Sequence, residues 1–199
     1  MAKLSFSYGS MNSGKTSELL MLAHNLKTNN IKYLIFKPDI DTRSPLNVVK
    51  SRIGSLESTA VTIYQNTNIY ESVCGIINNS EFDNNTLKYL LIDEAQFLTP
   101  IQVEELANIV DILSINVFCY GLKGDYKTIM FPGSKRLFEL SDEQIEFPSI
   151  CICGEKAILN GRFNEFGQIV KDGNQIDIGG DEKYTPLCRK CYKNIWYNN

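Results

Sequence analysis

Cationic residues are outnumbered in this chain, with Lys+Arg 20 against Asp+Glu 23 and a formal net charge of -3 over 199 residues. A field of that sign does not attract a polyanion such as duplex nucleic acid, although a small anion could still be held locally. No apolar stretch approaches the length needed to span a bilayer, and Met1-Ala-Lys-Leu-Ser-Phe-Ser-Tyr8 carries no apolar signal core, so no membrane partner is expected and the cytoplasm is the expected compartment. The only histidine, His24, falls in a helical pattern and reads as a packing or surface residue. Internal repeats and low-complexity tracts are absent apart from a modest excess of asparagine. Hydrophobic residues at 43% and charged residues at 22% mark an ordinary globular protein, long enough to bury its own core.

Hydrophobic periodicity divides the chain. Residues 3–8 alternate and are rich in β-formers, residues 9–16 form a glycine-bearing loop, and Leu19, Leu20, Leu22, Ala23 and Leu26 recur at helical spacing. Residues 31–36 read as a short strand that ends before Pro38. The polar stretch 39–58 shows no apolar period and is expected to be a mobile loop. Ile69, Val73, Ile76 and Ile77 share a helical face, residues 87–92 are a nearly unbroken apolar strand, 101–113 read as a helix after Pro100, and 115–120 as a further buried strand. Strands alternating with helices predict an α/β fold, a P-loop NTPase-like parallel sheet flanked by helices, over residues 1–149. Beyond Pro148 the texture changes to paired cysteines, scattered glycine and short alternating runs. Residues 150–199 are therefore expected to form a small zinc-ribbon-like lobe.

The glycine loop carries the first chemistry. Gly9, Ser10, Met11, Asn12, Ser13, Gly14, Lys15 and Thr16 match GxxxxGK[ST] in full, after a strand and before a helix. In that setting backbone N–H groups and the helix N-terminus face phosphate oxygens, the lysine reaches the β- and γ-phosphates, and the threonine hydroxyl helps hold Mg²⁺. Such a site also needs a carboxylate at the end of a neighbouring strand, and Asp93 closes Leu90-Leu91-Ile92. Glu94 beside it is a second carboxylate, placed to orient and deprotonate an attacking hydroxyl. The string Asp93-Glu-Ala-Gln96 also occurs in the second motif of nucleic-acid helicases, but tandem motor domains need roughly 300 residues. No guanine-reading Asn-Lys-x-Asp is present, which argues against a switch GTPase.

Cys151, Cys153, Cys188 and Cys191 are four of the six cysteines and crowd the last quarter of the chain. In a cytoplasmic protein two distant pairs read as a closed, structural Zn²⁺ site before they read as disulfides. Its expected task is to pin the ends of the segment 154–187. Cys74 and Cys119 lie in apolar runs and read as small core residues.

Taken in order, the phosphate loop, Lys37-Pro-Asp-Ile-Asp-Thr-Arg43, Ser51-Arg-Ile-Gly54, Asp93-Glu-Ala-Gln-Phe97, Gly121-Leu-Lys-Gly-Asp-Tyr126, Phe131, the cysteine pairs and Gly179-Gly-Asp-Glu-Lys-Tyr184 resemble the cytosolic, tetrameric, zinc-containing thymidine kinases over nearly the whole chain. The resemblance implies transfer of the γ-phosphate of ATP to the 5′-hydroxyl of thymidine, with deoxyuridine a close analogue. It makes Glu94 the catalytic base, with Lys15 and Arg43 near the phosphates and Thr16 and Asp93 on Mg²⁺. It also places Met11, Phe97, Leu122, Tyr126, Phe131, Asn160 and Tyr184 around the nucleoside, with the backbone at Ile178 and Gly179 covering the base. A homotetramer, feedback inhibition by thymidine triphosphate and no nucleic-acid partner are implied in the same way.

Ser10, Lys123 and Asn160 stand where the family usually has Pro, Asp and Thr, and Cys151-Ile-Cys153 is one residue tighter than its CxxC. The competing reading is a nucleic-acid-dependent P-loop ATPase whose zinc ribbon grips a strand.

Overall fold

A computed structural model describes residues 1–41, 44–52, 56–79, 87–175 and 183–198. Its centre is a six-stranded sheet formed by β1 (Leu4–Gly9), β2 (Lys32–Pro38), β5 (Val61–Ile63), β6 (Leu87–Ile92), β7 (Asn116–Leu122) and β8 (Glu143–Phe147), in the order β5-β2-β6-β7-β1-β8. Every pairing in it is parallel. All six carboxyl ends therefore share one edge, where an open parallel sheet binds its ligands.

The expected cover on both faces is present. Leu90 and Ile92 point into a cluster with Val73 of α2 (Ile69–Asn79), Val103 and Leu106 of α3 (Pro100–Leu113) and Leu137 of α4 (Pro132–Leu140). Leu91 points the other way, against Leu19, Leu20 and Ala23 of α1 (Lys15–Thr28). Alternation along one strand thus fills both layers, each fully buried aliphatic side chain contributing roughly 1.5–3 kcal/mol. Local chemistry fixes where α3 starts. The Thr99 side chain accepts from the Gln102 N–H, the Gln102 side chain returns the bond, and Pro100 occupies the first turn.

Regular structure occurs within the segment 39–58, read from the sequence as a mobile loop. Its described part contains β3 (Val48–Lys50), paired antiparallel with β4 (Glu57–Thr59). Three-residue strands are too short to show a period. Two buried anchors hold the hairpin instead: Val49 packs against the α1 face, and Lys37 lies beneath it. The Lys37 Nζ sits 3.3 Å from an Asp41 carboxylate oxygen, with the two side chains only 1% and 6% exposed. It also donates to Ser44 Oγ at 2.6 Å and to the Val48 carbonyl at 3.3 Å.

A third, smaller cluster is built from Cys151, Ala157, Ile169, Leu187 and Tyr192. It lies among β9 (Ser149–Ile150), β10 (Lys156–Ala157), β11 (Leu159–Arg162), β12 (Tyr184–Leu187) and α5 (Arg189–Asn198). Among the contacts that tie this C-terminal part to the sheet edge, two matter for the site. Tyr192 donates its hydroxyl to the Tyr126 carbonyl at 2.6 Å, and Asn160 Oδ1 accepts the Met11 N–H at 2.8 Å. Among the described residues no helix is long and apolar enough to cross a membrane.

Candidate active site

β1 ends at Gly9, flanked by Leu122 of β7 and Phe147 of β8. A Cβ on Gly9 would come within 2.5 Å of the Phe147 carbonyl oxygen and 2.8 Å of Ser13 Oγ, so only glycine lets the loop turn this close to the strand ends. The chain then passes through left-handed positions at Asn12 (φ 60) and Gly14 (φ 83), the kind of turn that gathers N–H groups into an anion-binding concavity. Lys15 opens α1 and folds back over the loop, its Nζ donating to the Ser10 carbonyl at 2.8 Å and to Ser13 Oγ at 2.9 Å. Ser10 Oγ, where the family usually has proline, is buried with no protein partner among the described residues. The hydroxyl adds nothing to the bonding of the loop.

β6 delivers Asp93 to the same edge, its N–H donating to the Phe36 carbonyl at 3.0 Å. The Thr16 hydroxyl lies 3.2 Å from each carboxylate oxygen of Asp93. Two hard oxygen donors meeting beside a phosphate loop fit a magnesium–nucleotide site. Nearby, burial pushes the Tyr120 hydroxyl well up, and Glu18, Cys119 and Asp93 add to it in that order. Glu94 follows in a left-handed conformation (φ 50, ψ 39), which turns the chain into the short 3₁₀ helix Ala95–Phe97.

These groups border one cavity of about 730 Å³, which the loop, Asp93, Glu94 and Leu122 share with Asp41, Ser44 and the hairpin residues Val49 to Arg52. The hairpin is fastened to the loop side. Ser17 and Ser51 share a 2.7 Å hydroxyl bond, and Arg52 Nη1 donates to Asn12 Oδ1 at 3.0 Å. Ser51 and Arg52 stand in a block that resembles the family, but no local pattern in the sequence points to a role for them. The same holds for Gln96, which is 1% exposed and hydrogen-bonded to Glu94.

Of the residues expected around the nucleoside, Met11, Glu94 and Leu122 line this cavity. Phe97 and Phe131 meet edge to face at 5.8 Å, while Tyr126 and Phe131 are 1% and 5% exposed. The Arg162 guanidinium lies 5.3 Å from the Tyr126 ring centre. Tyr184 is half-buried on β12, opposite Arg162. Arg43, Ile178 and Gly179 lie outside the described residues.

The Sγ atoms of Cys151, Cys153, Cys188 and Cys191 all lie within 4.8 Å of one another, and Cys153 and Cys188 are 3.7 Å apart. Four thiolates around Zn²⁺ at about 2.3 Å stand roughly 3.8 Å apart, so the cluster fits zinc despite its short first spacing. Burial opposes ionisation of Cys151, but backbone and side-chain hydrogen bonds from Cys153 and Cys188 outweigh it and bring the thiol down to about 7. Hydrogen bonds involving Cys153 and Cys188, followed by burial, push Cys191 up to about 12.

A parallel sheet whose first strand feeds a phosphate loop, with a Thr–Asp pair and a second carboxylate on the same edge, is the framework of a P-loop nucleotide-binding protein. Within that class, the thymidine kinase family model matches residues 2–192, and the chain belongs to that family. It is 45% identical to the thymidine kinase of Legionella pneumophila (strain Philadelphia 1) over 97% of this chain and 90% of that one. It is 44% identical to that of Shouchella clausii over 97% of each, and 42% identical to that of Zymomonas mobilis over 96% of this chain and 95% of that one. Family membership favours a kinase over the nucleic-acid-dependent ATPase. The solved genome packaging NTPase B204 from Sulfolobus turreted icosahedral virus 2 superposes at TM-score 0.46 with 15% identity, covering 77% of this chain and 78% of that one.

Proposed function

We propose that this chain transfers the γ-phosphate of ATP to the 5′-hydroxyl of thymidine, and of deoxyuridine, giving the monophosphate and ADP. The observation that carries the reading is the meeting of the Thr16 hydroxyl with the Asp93 carboxylate at 3.2 Å, with Glu94 lining the same cavity. The loop N–H groups and Lys15 hold the phosphates, Lys15 exchanging its contacts to Ser10 and Ser13 for phosphate oxygens. Thr16 and Asp93 would hold Mg²⁺, which neutralises charge on the phosphates when bound. Glu94 takes the proton of the 5′-hydroxyl as the new O–P bond forms and the bond from the γ-phosphorus to the β,γ-bridging oxygen breaks. Arg43 is assigned to the phosphates with Lys15.

Tyr126, Phe131, Phe97 and Tyr184 supply flat apolar contact suited to a base, and the backbone at Ile178 and Gly179 is assigned its imide edge. Asn160 offers the base its amide N–H₂, while its oxygen already accepts the Met11 N–H. That N–H₂ donates to a base carbonyl and disfavours the amino group of cytosine, which is itself a donor. The expected result is phosphorylation of thymidine and deoxyuridine but not of deoxycytidine; equal turnover of all three would overturn the assignment. The homotetramer belongs to the same reading, as does feedback by thymidine triphosphate, whose base would take the nucleoside pocket while its phosphates take the loop.

Zinc at the four cysteines is part of the proposal. It would fasten β9–β10 to the start of α5, so Cys188→Ser is expected to lose zinc and the folded C-terminal part together, seen as zinc content and circular dichroism. Full activity with zinc retained would refute it.

A further inference from the structure

Gln96 sits in the turn after β6, and both ends of its side chain are committed. Its Oε1 accepts the Leu122 N–H at 3.0 Å, and its Nε2 donates to Glu94 Oε2 at 2.5 Å. The orientation of the amide is not arbitrary. Rotated by half a turn, it would place N–H₂ against the Leu122 N–H and an oxygen against the carboxylate, two repulsive contacts in place of two bonds. The seat is also built closely on its far side. A Cβ on Gly121 would come within 2.8 Å of Gln96 Oε1 and 3.0 Å of the Gln96 backbone nitrogen, so position 121 must lack a side chain for the amide to reach Leu122.

We infer that Gln96 is a positioning residue that aims the Glu94 carboxylate by bracing it against the β7 backbone at Leu122. This inference rests on Glu94 being the proton acceptor. Glu94 needs such a brace because it leaves β6 in a left-handed turn, a conformation that places its side chain without support from the strand ladder. A long carboxylate side chain has several rotamers, only some of them within reach of an incoming hydroxyl, and the Gln96 bond favours one of them. Leu122 lines the same cavity as Glu94, so the brace also fixes the distance between the proton acceptor and the wall of the pocket.

The test compares Gln96→Met, Glu94→Gln and the double variant in single-turnover phosphoryl transfer to thymidine. Methionine keeps the length and volume of the side chain but neither hydrogen bond. Gln96→Met is expected to lower kcat about 10- to 100-fold, with KM for thymidine and ATP close to wild type and a lower melting temperature, because the Leu122 N–H loses its acceptor. Restoring glutamine's chemistry one methylene shorter, Gln96→Asn, should not rescue, because it cannot span both partners. The double variant should be no slower than Glu94→Gln alone. Losses that multiply in the double variant, or a wild-type kcat in Gln96→Met while Glu94→Gln is inactive, would overturn the positioning role and leave the base assignment standing. Wild-type turnover by Glu94→Gln would instead remove the base assignment on which the inference rests.

Discussion

Glu94→Gln is expected to reduce kcat by about 10²- to 10⁴-fold, the range a positioned general base supplies, while ATP binding stays within about twofold of wild type. The substitution suits the question because the amide has the shape of the carboxylate and can still accept the Gln96 Nε2–H, whose bond to Glu94 is 2.5 Å. The turn, the brace and the Thr16–Asp93 contact all stay in place, so what is lost is the capacity to take a proton. Rapid-quench kinetics give the chemical step and calorimetry the nucleotide affinity. Wild-type turnover would show that the proton leaves the 5′-hydroxyl by another route.

The largest effect on stability is expected at a residue with no assigned part in the chemistry. Removing the Lys37 ammonium takes away a buried cation 3.3 Å from the Asp41 carboxylate, itself 6% exposed, together with its bonds to Ser44 and Val48. Breaking such a pair from one side costs about 3–5 kcal/mol, which corresponds to roughly 6–20 °C in melting temperature for a chain of this size. Lys37→Ala should show the whole loss, with the cavity left by the side chain added. Lys37→Met, which fills the space, should show most of it, and adding Asp41→Leu to Lys37→Met should recover a large part. Asp41 and Ser44 also line the nucleotide cavity, so the single variants should weaken ATP binding as well. Urea denaturation that finds less than about 1 kcal/mol for Lys37→Ala would mean that the pair is solvated in solution.

The two predictions differ in how readable their residues are from sequence. Gly9 to Thr16 could be read directly because strand, loop and helix are consecutive, and each residue type answers a local demand: close approach at Gly9, a cation folded over the loop at Lys15, a hydroxyl facing Asp93 at Thr16. Asp93 was legible for a related reason, since the apolar run 87–92 ends there. The four cysteines were legible because metal chemistry restricts residue type whatever the fold. The β3–β4 hairpin was not legible. Its strands have three residues each, and what orders them is Lys37, a residue whose type predicts a solvated surface and whose partners Asp41, Ser44 and Val48 are recognised only once the chain has turned back. Gln96 escaped for the same reason, because its second partner lies 26 residues further on. Asn160 is expected at the nucleoside from the resemblance alone; its hydrogen bond to the Met11 N–H joins positions 149 residues apart, and no local pattern announces it.

One transfer assay tests the proposed reaction most directly. Purified protein is given γ-labelled ATP, Mg²⁺ and thymidine, with Glu94→Gln in parallel and single-stranded DNA as an added control. The expected result is labelled thymidine monophosphate from the wild-type protein, little or none from the variant, and no response to DNA. Label released only as inorganic phosphate, at a rate that rises with single-stranded DNA and falls steeply with salt, would contradict the account.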